Sequence, residues 1–264
     1  MDLGYIISGF AVGVLVGITG VGGGSLMTPL LVFLFGFKPA VAVGTDLLFA
    51  AITKTGGVWV HHGTHGSVDW RVVSLMSLGS LPMAVGTIFV IKHLISVGKE
   101  TSGLITYSLG VALILTACAL LIRSYLTRKT ERETENGLVS TGRFKRMQIP
   151  ATIFTGAILG VLVTLSSVGA GALGTIAILF LYPKMRTLKV VGTDLAHAIP
   201  LTAVAGIGHW TLGHVDFVLL GSLLIGSLPG IWIGSHISAK IPEKVLRPIL
   251  ASILLLIGLK FVVN

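Results

Sequence analysis

The chain has 264 residues, 53% of them hydrophobic and only 11% charged, with a mean hydropathy of +0.95. A water-soluble domain carries about 25% charged residues and could not hide this much apolar surface; an ordinary soluble enzyme and a disordered chain are excluded, and the lone Cys118 excludes a disulfide scaffold. The net charge of +9 then reads as membrane orientation rather than as a nucleic-acid footprint.

Charge-poor apolar segments run at 3–36, 39–60, 72–91, 103–122, 149–182, 190–208, 217–238 and 248–263. Most are close to the ~20 residues that cross hydrocarbon as a helix. Met1-Asp2-Leu3 has no basic n-region, so the first segment is expected to stay in the mature protein rather than leave as a signal peptide. The first and fifth segments are too long for one crossing. Gly20, Gly22, Gly23 and Gly24 interrupt one; Gly169 and Gly171 interrupt the other. Each is predicted to be two short helices meeting at a bend. One long tilted helix with glycines for close packing is the alternative.

The clearly polar stretch carries Arg123, Arg128, Lys129, Arg132, Arg143, Lys145 and Arg146 against Glu131, Glu133 and Glu135. It divides the chain into a first membrane repeat over 1–122, a basic linker over 123–148 and a second repeat over 149–264. A short Lys/Arg-rich loop is expected on the cytoplasmic side, with contact to anionic lipid as a secondary use.

The halves repeat at an offset of 147–148 residues. GFAVGVLVGITGVGGG at 9–24 answers GAILGVLVTLSSVGAG at 156–171. Gly44-Thr45-Asp46-Leu47 matches Gly192-Thr193-Asp194-Leu195, Val68-Asp69-Trp70 matches Val215-Asp216-Phe217, and Gly79-Ser80-Leu81-Pro82 matches Gly226-Ser227-Leu228-Pro229. If each broken segment returns to its own side, each half makes three net crossings and the halves are inverted. The loops at 183–189 and 239–247, with Lys184, Arg186, Lys189, Lys240, Lys244 and Arg247, then fall inside. The Lys/Arg-free loop at 209–216 falls outside, as the positive-inside rule asks. Lys38, Lys92 and Lys99 fit less well. The predicted fold is thus an all-α polytopic membrane protein of two inverted repeats, each of about four hydrophobic segments and each with a broken first segment.

Inverted repeats with discontinuous helices are a plan of secondary transporters, whose site lies where the breaks meet. A glycine bend bares backbone N–H groups, and the following helix adds its positive end. Gly22, Gly23, Gly24 and Ser25 from one half, with Gly169 and Gly171 from the other, can thus face one anion. Thr19, Ser166 and Ser167 add hydroxyls. Glycines that only let helices pack closely are the competing reading. Asp46 and Asp194 lie within apolar spans at equivalent positions, where an ionisable group is a functional hypothesis by default; capping a helix start is the alternative. Lys54 breaks the symmetry, its counterpart being Thr202. Eight residues of helix separate it from Asp46 by about 12 Å and about 80°, so its partner must lie elsewhere, unless it snorkels. His197 shares a helical face with Asp194 and either relays protons or packs.

His61, His62 and His65 spell HHGTH at a span end. A transition metal is conceivable there, but no carboxylate or cysteine completes the set except Asp69, and interfacial histidines are the plainer reading. Gly169, Gly171 and Gly174 mimic a dinucleotide fingerprint without its strand–helix context, and no Walker lysine follows either glycine cluster. No metal, cofactor or nucleic-acid partner is expected, and no nucleophile motif supports an enzyme.

The GITGVGGG run at 17–24, the duplicated GTDL and GSLPG at 226–230 resemble the sulfite exporter TauE/SafE family of membrane proteins. The resemblance covers nearly the whole chain apart from the central linker. It implies about eight spanning segments in the cytoplasmic membrane and secondary carriage of small sulfur-containing anions, sulfite or organosulfonates. Export as the direction comes from the resemblance alone. The sequence departs from strict symmetry where Ala170 and Ala172 replace glycines, and where Met83 answers Gly230. The expectation is an anion transporter of the bilayer, working by alternating access with Asp46, Asp194 or Lys54 as coupling groups, alone or as a homo-oligomer. A small-anion channel and a membrane-embedded metal-binding protein are the alternatives.

Overall fold

A computed structural model describes residues 3–19, 24–65, 68–135, 144–238 and 243–263. Among them are ten helices and no strand: α1 (Leu3–Thr19), α2 (Gly24–Phe35), α3 (Pro39–His65), α4 (Trp70–Ser96), α5 (Ser102–Glu135), α6 (Phe144–Ser166), α7 (Leu173–Leu181), α8 (Thr187–Thr211), α9 (Phe217–Ser238) and α10 (Glu243–Val263). Five helical stretches, Trp70–Ser96, Ser102–Ile122, Met147–Ser166, Thr187–Thr211 and Phe217–Gly234, are long and apolar enough to cross a membrane. Leu78, Phe89, Trp232 and Leu256 are each more than 60% exposed. Such outward apolar side chains suit acyl chains rather than water. The polar stretch after Arg123 continues α5 to Glu135; its Arg, Lys and Glu are good helix formers.

Both long apolar segments contain two helices. In the fifth, α6 stops at Ser166 and α7 starts at Leu173. Ser167, Gly169 and Gly171 have φ of 58°, 118° and 136°. A right-handed helix cannot run through such residues, and only glycine adopts the latter two without strain. In the first segment, α1 ends at Thr19 and α2 begins at Gly24. Gly22 and Gly23 lie outside the described residues, as do the side chains of Thr19 and Ser25.

The halves interlock through glycines. Gly9 and Gly13 of α1 lie against the backbone of Leu223 and Ser227 of α9; Gly156 and Gly160 of α6 lie in the same way against Met76 and Ser80 of α4. Gly226 meets Ile6 and Phe10, as Gly79 meets Ile153 and Ala157. Gly110 of α5 abuts Gly258 of α10. Every one of these contacts recurs with the two halves exchanged. In lipid no hydrophobic force drives helices together, so close backbone approach is what holds such pairs. α3 and α8 form the centre and run antiparallel. Gly44, near the start of α3, touches His209 in the last turn of α8 and the His214 carbonyl just beyond it, and Leu48 meets Gly206.

The glycine contacts carry a prediction. A Cβ at Gly79 would collide with the Ile153 carbonyl, whereas one at Gly86, on the same helix, meets nothing within 4 Å. Gly79→Ala should cost about 1–3 kcal/mol, the usual range for overpacking. Gly86→Ala should be neutral or stabilising by up to about 1 kcal/mol through helix propensity. Thermal unfolding in detergent compares the two.

Candidate functional site

The break of the fifth segment is buried. Val168, Ala170 and Ala172 are each at most 5% exposed, and Ser166 and Ser167 at most 3%. Ser166 holds the turn: its hydroxyl donates to the Leu162 carbonyl at 2.5 Å and accepts from the Val168 N–H at 3.1 Å. The Ser166 hydroxyl is therefore engaged locally rather than offered to a ligand. Ser167 differs. Its backbone is left-handed, an uncommon state for a residue with a Cβ and one that concentrates at functional sites. Its hydroxyl is buried without a hydrogen-bond partner among the described residues, and it stands beside Asp46. The N–H groups of Leu173 and Gly174 bond to Gly169 O. Those of Gly169, Ala170, Gly171 and Ala172 have no hydrogen bond among the described residues, and no side chain caps α7 at Ala172.

Asp46 and Asp194 are fully buried within α3 and α8, well past the helix starts at Pro39 and Thr187. Neither is an N-cap. Each faces the short second helix of its own half. Thr28 of α2 donates to Asp46 Oδ2 at 2.6 Å, and Thr175 of α7 stands 2.9 Å from Asp194 Oδ2. Gly174 makes room for this: a Cβ there would collide with Asp194 Oδ1. Thr28 and Thr175 escaped the motif search. They occupy equivalent positions of the repeat, which aligning Met27-Thr28 with Gly174-Thr175 would have revealed.

Lys54 is 6% exposed. Its ammonium donates to the Ala170 carbonyl, inside the break of the other half, at 2.9 Å. Asp194 and Asp46 are the opposite charges that act on it. Thr202, its counterpart, turns back to the Ala198 carbonyl of its own helix. One cation therefore serves both halves. His197 Nε2 meets Ser80 Oγ at 2.9 Å, and its Nδ1 has no partner among the described residues. The equivalent pair is Ser227 and Phe49, both buried. Asymmetry thus enters at two positions: a charge at Lys54 and an imidazole at His197.

Bonds between the halves close both ends of this centre. Asp69 N–H donates to Thr193 Oγ1 at 2.9 Å, and Asp216 N–H donates to Thr45 Oγ1 at 3.1 Å. At the first end Lys189 also pairs with Asp69 at 2.9 Å. Burial works against the Asp69 charge, but the Lys189 and Val72 hydrogen bonds outweigh it and hold the carboxyl below its ordinary range. A depressed carboxylate stabilises the fold above its ordinary pKa of about 4, and that stabilisation is lost as acid protonates it. The acid arm of a stability-against-pH profile should therefore be shallower in Lys189→Ala than in the unaltered chain. At the other end His209 Nε2 meets the Thr164 carbonyl at 2.8 Å, and the Nδ1 atoms of His209 and His214 lie 3.3 Å apart. Burial lowers the His214 imidazole below its ordinary range.

His61, His62 and His65 fall in the last turns of α3, with their side chains outside the described residues. Among the described residues no group of three His, Cys, Asp or Glu is placed to hold a metal ion.

The sequence matches the family model described as Sulfite exporter TauE/SafE over residues 5–261. A Bacillus subtilis protein named Probable membrane transporter protein YjnA is 38% identical over 266 residues, covering 99% of this chain and 100% of that protein. Probable membrane transporter protein YdhB of the same organism is 28% identical, covering 94% and 97%. Probable membrane transporter protein MJ0441 of Methanocaldococcus jannaschii is also 28% identical, covering 96% and 92%. No solved structure matches.

Proposed function

The chain belongs to the sulfite exporter TauE/SafE family and is a multi-pass membrane transporter; from that premise we propose that it exports a small sulfur-containing anion, of the sulfite or organosulfonate class, by proton-coupled alternating access. The observation that carries this reading is the Lys54 ammonium, buried in the interior, whose hydrogen bond among the described residues goes to the Ala170 carbonyl of the break. A charged side chain at membrane depth is costly and needs a reason. Asp194 and Asp46 act on it from beyond ion-pair distance, so a small anion at the break can pair with it directly. The anion bridges Lys54, the Ser167 hydroxyl and the N–H groups at Gly169 and Gly171, all of them donors. Oriented donors in a dry site bind an oxyanion far better than they would in water. The bend of the first half, Thr19 with Gly22, Gly23, Gly24 and Ser25, completes the shell by repeat equivalence.

The antiparallel run of α3 and α8 supports inversion of the repeats 1–122 and 149–264, with the basic linker 123–148 on the cytoplasmic face. Rocking of one half against the other would open the two ends in turn. The end bonds of Asp69 to Thr193 and of Asp216 to Thr45 are the contacts that must break and re-form. Proteoliposomes provide the test. Sulfite or an organosulfonate should move against its gradient when a pH gradient is imposed. Absence of flux for every anion in that set sinks the reading. Unitary currents without concentrative movement would make the protein a channel instead.

A further inference from the structure

The turn that ends α8 has an unusual filling. The His214 N–H donates to the His209 carbonyl at 3.0 Å and the Gly213 N–H to the Trp210 carbonyl at 2.9 Å, with Gly213 at a φ of 75°. This is a Schellman end, in which the residues at the places of His209 and His214 commonly make an apolar contact. Here both are imidazoles. Their Nδ1 atoms lie 3.3 Å apart and their ring centroids 5.4 Å apart.

The pair reaches the break. α6 ends at Ser166, and the Val168 N–H, which would continue the helix to the Thr164 carbonyl, goes to Ser166 Oγ instead. His209 Nε2 meets that carbonyl at 2.8 Å. A carbonyl only accepts, so Nε2 carries the hydrogen, and Nδ1 of a neutral His209 is then an acceptor. His214 must supply the hydrogen between the two Nδ1 atoms. With both rings protonated, two N–H donors and two like charges would face each other there. The closed turn therefore takes one added proton at most. Once α3 withdraws and water reaches the rings, each side chain can turn and hold its own. We infer that His209 and His214 form a proton-binding site whose loading opens this end of the molecule.

The neighbours of the pair are apolar or already engaged. On α3, Gly44 packs on the His214 carbonyl and the His209 Cβ, and Thr45 accepts from the Asp216 N–H. Asp46, next along α3, accepts from Thr28, and Lys38, ahead of α3, is exposed. The described side chains of α6 include no titratable group. α4 sets Ile88 against Gly208, with Lys92 and His93 exposed a turn further on. Asp216 caps α9 through the Leu219 N–H. Burial lowers the His214 imidazole below its ordinary range while the end is closed. A histidine depressed in the closed form favours that form above its ordinary pKa of about 6.5, and the advantage is lost as pH falls. One excluded proton moves the balance toward the open form about tenfold per pH unit below that value. At the opposite end Lys189 pairs with Asp69, whereas Val41 holds the equivalent place here. That ion pair keeps both charges between about pH 5 and pH 8.

Gln148, at the start of α6, donates to the Leu181 carbonyl at the end of α7 at 2.5 Å, so α8 begins on the side of the linker and ends away from it. The histidine end is external in the transport reading, and the use of the proton rests on that reading. External protons then open the outward path, by which an exported anion leaves.

Spin labels at Lys38→Cys and Thr211→Cys, in a Cys118→Ser background in nanodiscs, report the separation of α3 from the α8 turn. A longer distance should appear as pH falls through about 6.5, with the open-to-closed ratio rising about tenfold between about pH 8 and about pH 5.5. The double variant His209→Gln and His214→Leu keeps a donor for Thr164 and restores an apolar contact; it should stay closed throughout. A distance that ignores pH in the unaltered chain, or an undiminished rise in the double variant, would overturn the site. Nitrogen NMR of histidine-labelled protein supplies a second readout should the double variant not fold. At about pH 8 it should contain an Nδ1–H tautomer that disappears in His214→Leu; its absence from the unaltered chain would also overturn the site. Opening in acid without any anion flux would count against the transport reading and leave the proton site standing.

Discussion

Lys54→Gln should lower anion flux at least tenfold while the protein still folds. Glutamine keeps an N–H donor within reach of the Ala170 carbonyl, so the link between the halves can survive. The charge does not. A hydrogen bond between charged groups contributes about 1.5–3 kcal/mol, and about 1.4 kcal/mol corresponds to a factor of ten in binding. Lys54→Arg keeps the charge, but its planar guanidinium is longer and forked, and a shell of buried small residues at Ala170 and Ala172 gives it little room. Partial activity is the expected result for that variant. Flux in proteoliposomes, with monodispersity on gel filtration as the folding control, separates these outcomes.

Gly174→Ala should be among the most damaging single-methyl additions in the molecule. The added Cβ collides with Asp194 Oδ1 in a fully buried setting. Overpacking of a tight interior costs about 1–3 kcal/mol, and here the obstructed group is the carboxyl itself. The Asp194 side chain must leave Thr175, so the expected result is lost thermal stability together with lost transport. Asp194→Ala should restore much of the stability in the double variant and none of the transport. A double-mutant cycle on thermal unfolding measures that coupling. Additive losses would show that Gly174 matters for some reason other than the carboxylate beside it.

Much of this was legible in the sequence because the signals were local or repeated. The break near Gly169 and Gly171 follows from residues that tolerate positive φ. Asp46 and Asp194 stood out because a carboxyl within an apolar run is conspicuous in any alignment of the two halves. The distance along one helix also showed that Lys54 must find its partner elsewhere. What spacing could not give was the partner. Ala170 is an alanine, and it is its backbone carbonyl that Lys54 meets across the interface between halves. Gly174 looked like the third glycine of a mimicked nucleotide fingerprint, when its role is to clear Asp194. The signposts at Gly79 and Gly226 marked the repeat, but that each presses on a helix of the opposite half depends on tertiary exchange. Ser166 and Ser167 are neighbours of identical type. Only the backbone turn separates the one that closes the bend from the one left facing Asp46.

The central claim is that an anion binds at Lys54 between the halves. Thermal unfolding of the purified protein with sulfite, an organosulfonate or chloride, alongside Lys54→Gln, tests it most directly. A ligand at a hundred times its Kd stabilises the folded form by about 2.7 kcal/mol. The account predicts a rise in melting temperature with a sulfur oxyanion in the unaltered chain, and none in Lys54→Gln. An equal rise in both proteins, or no rise with any sulfur oxyanion, would contradict it.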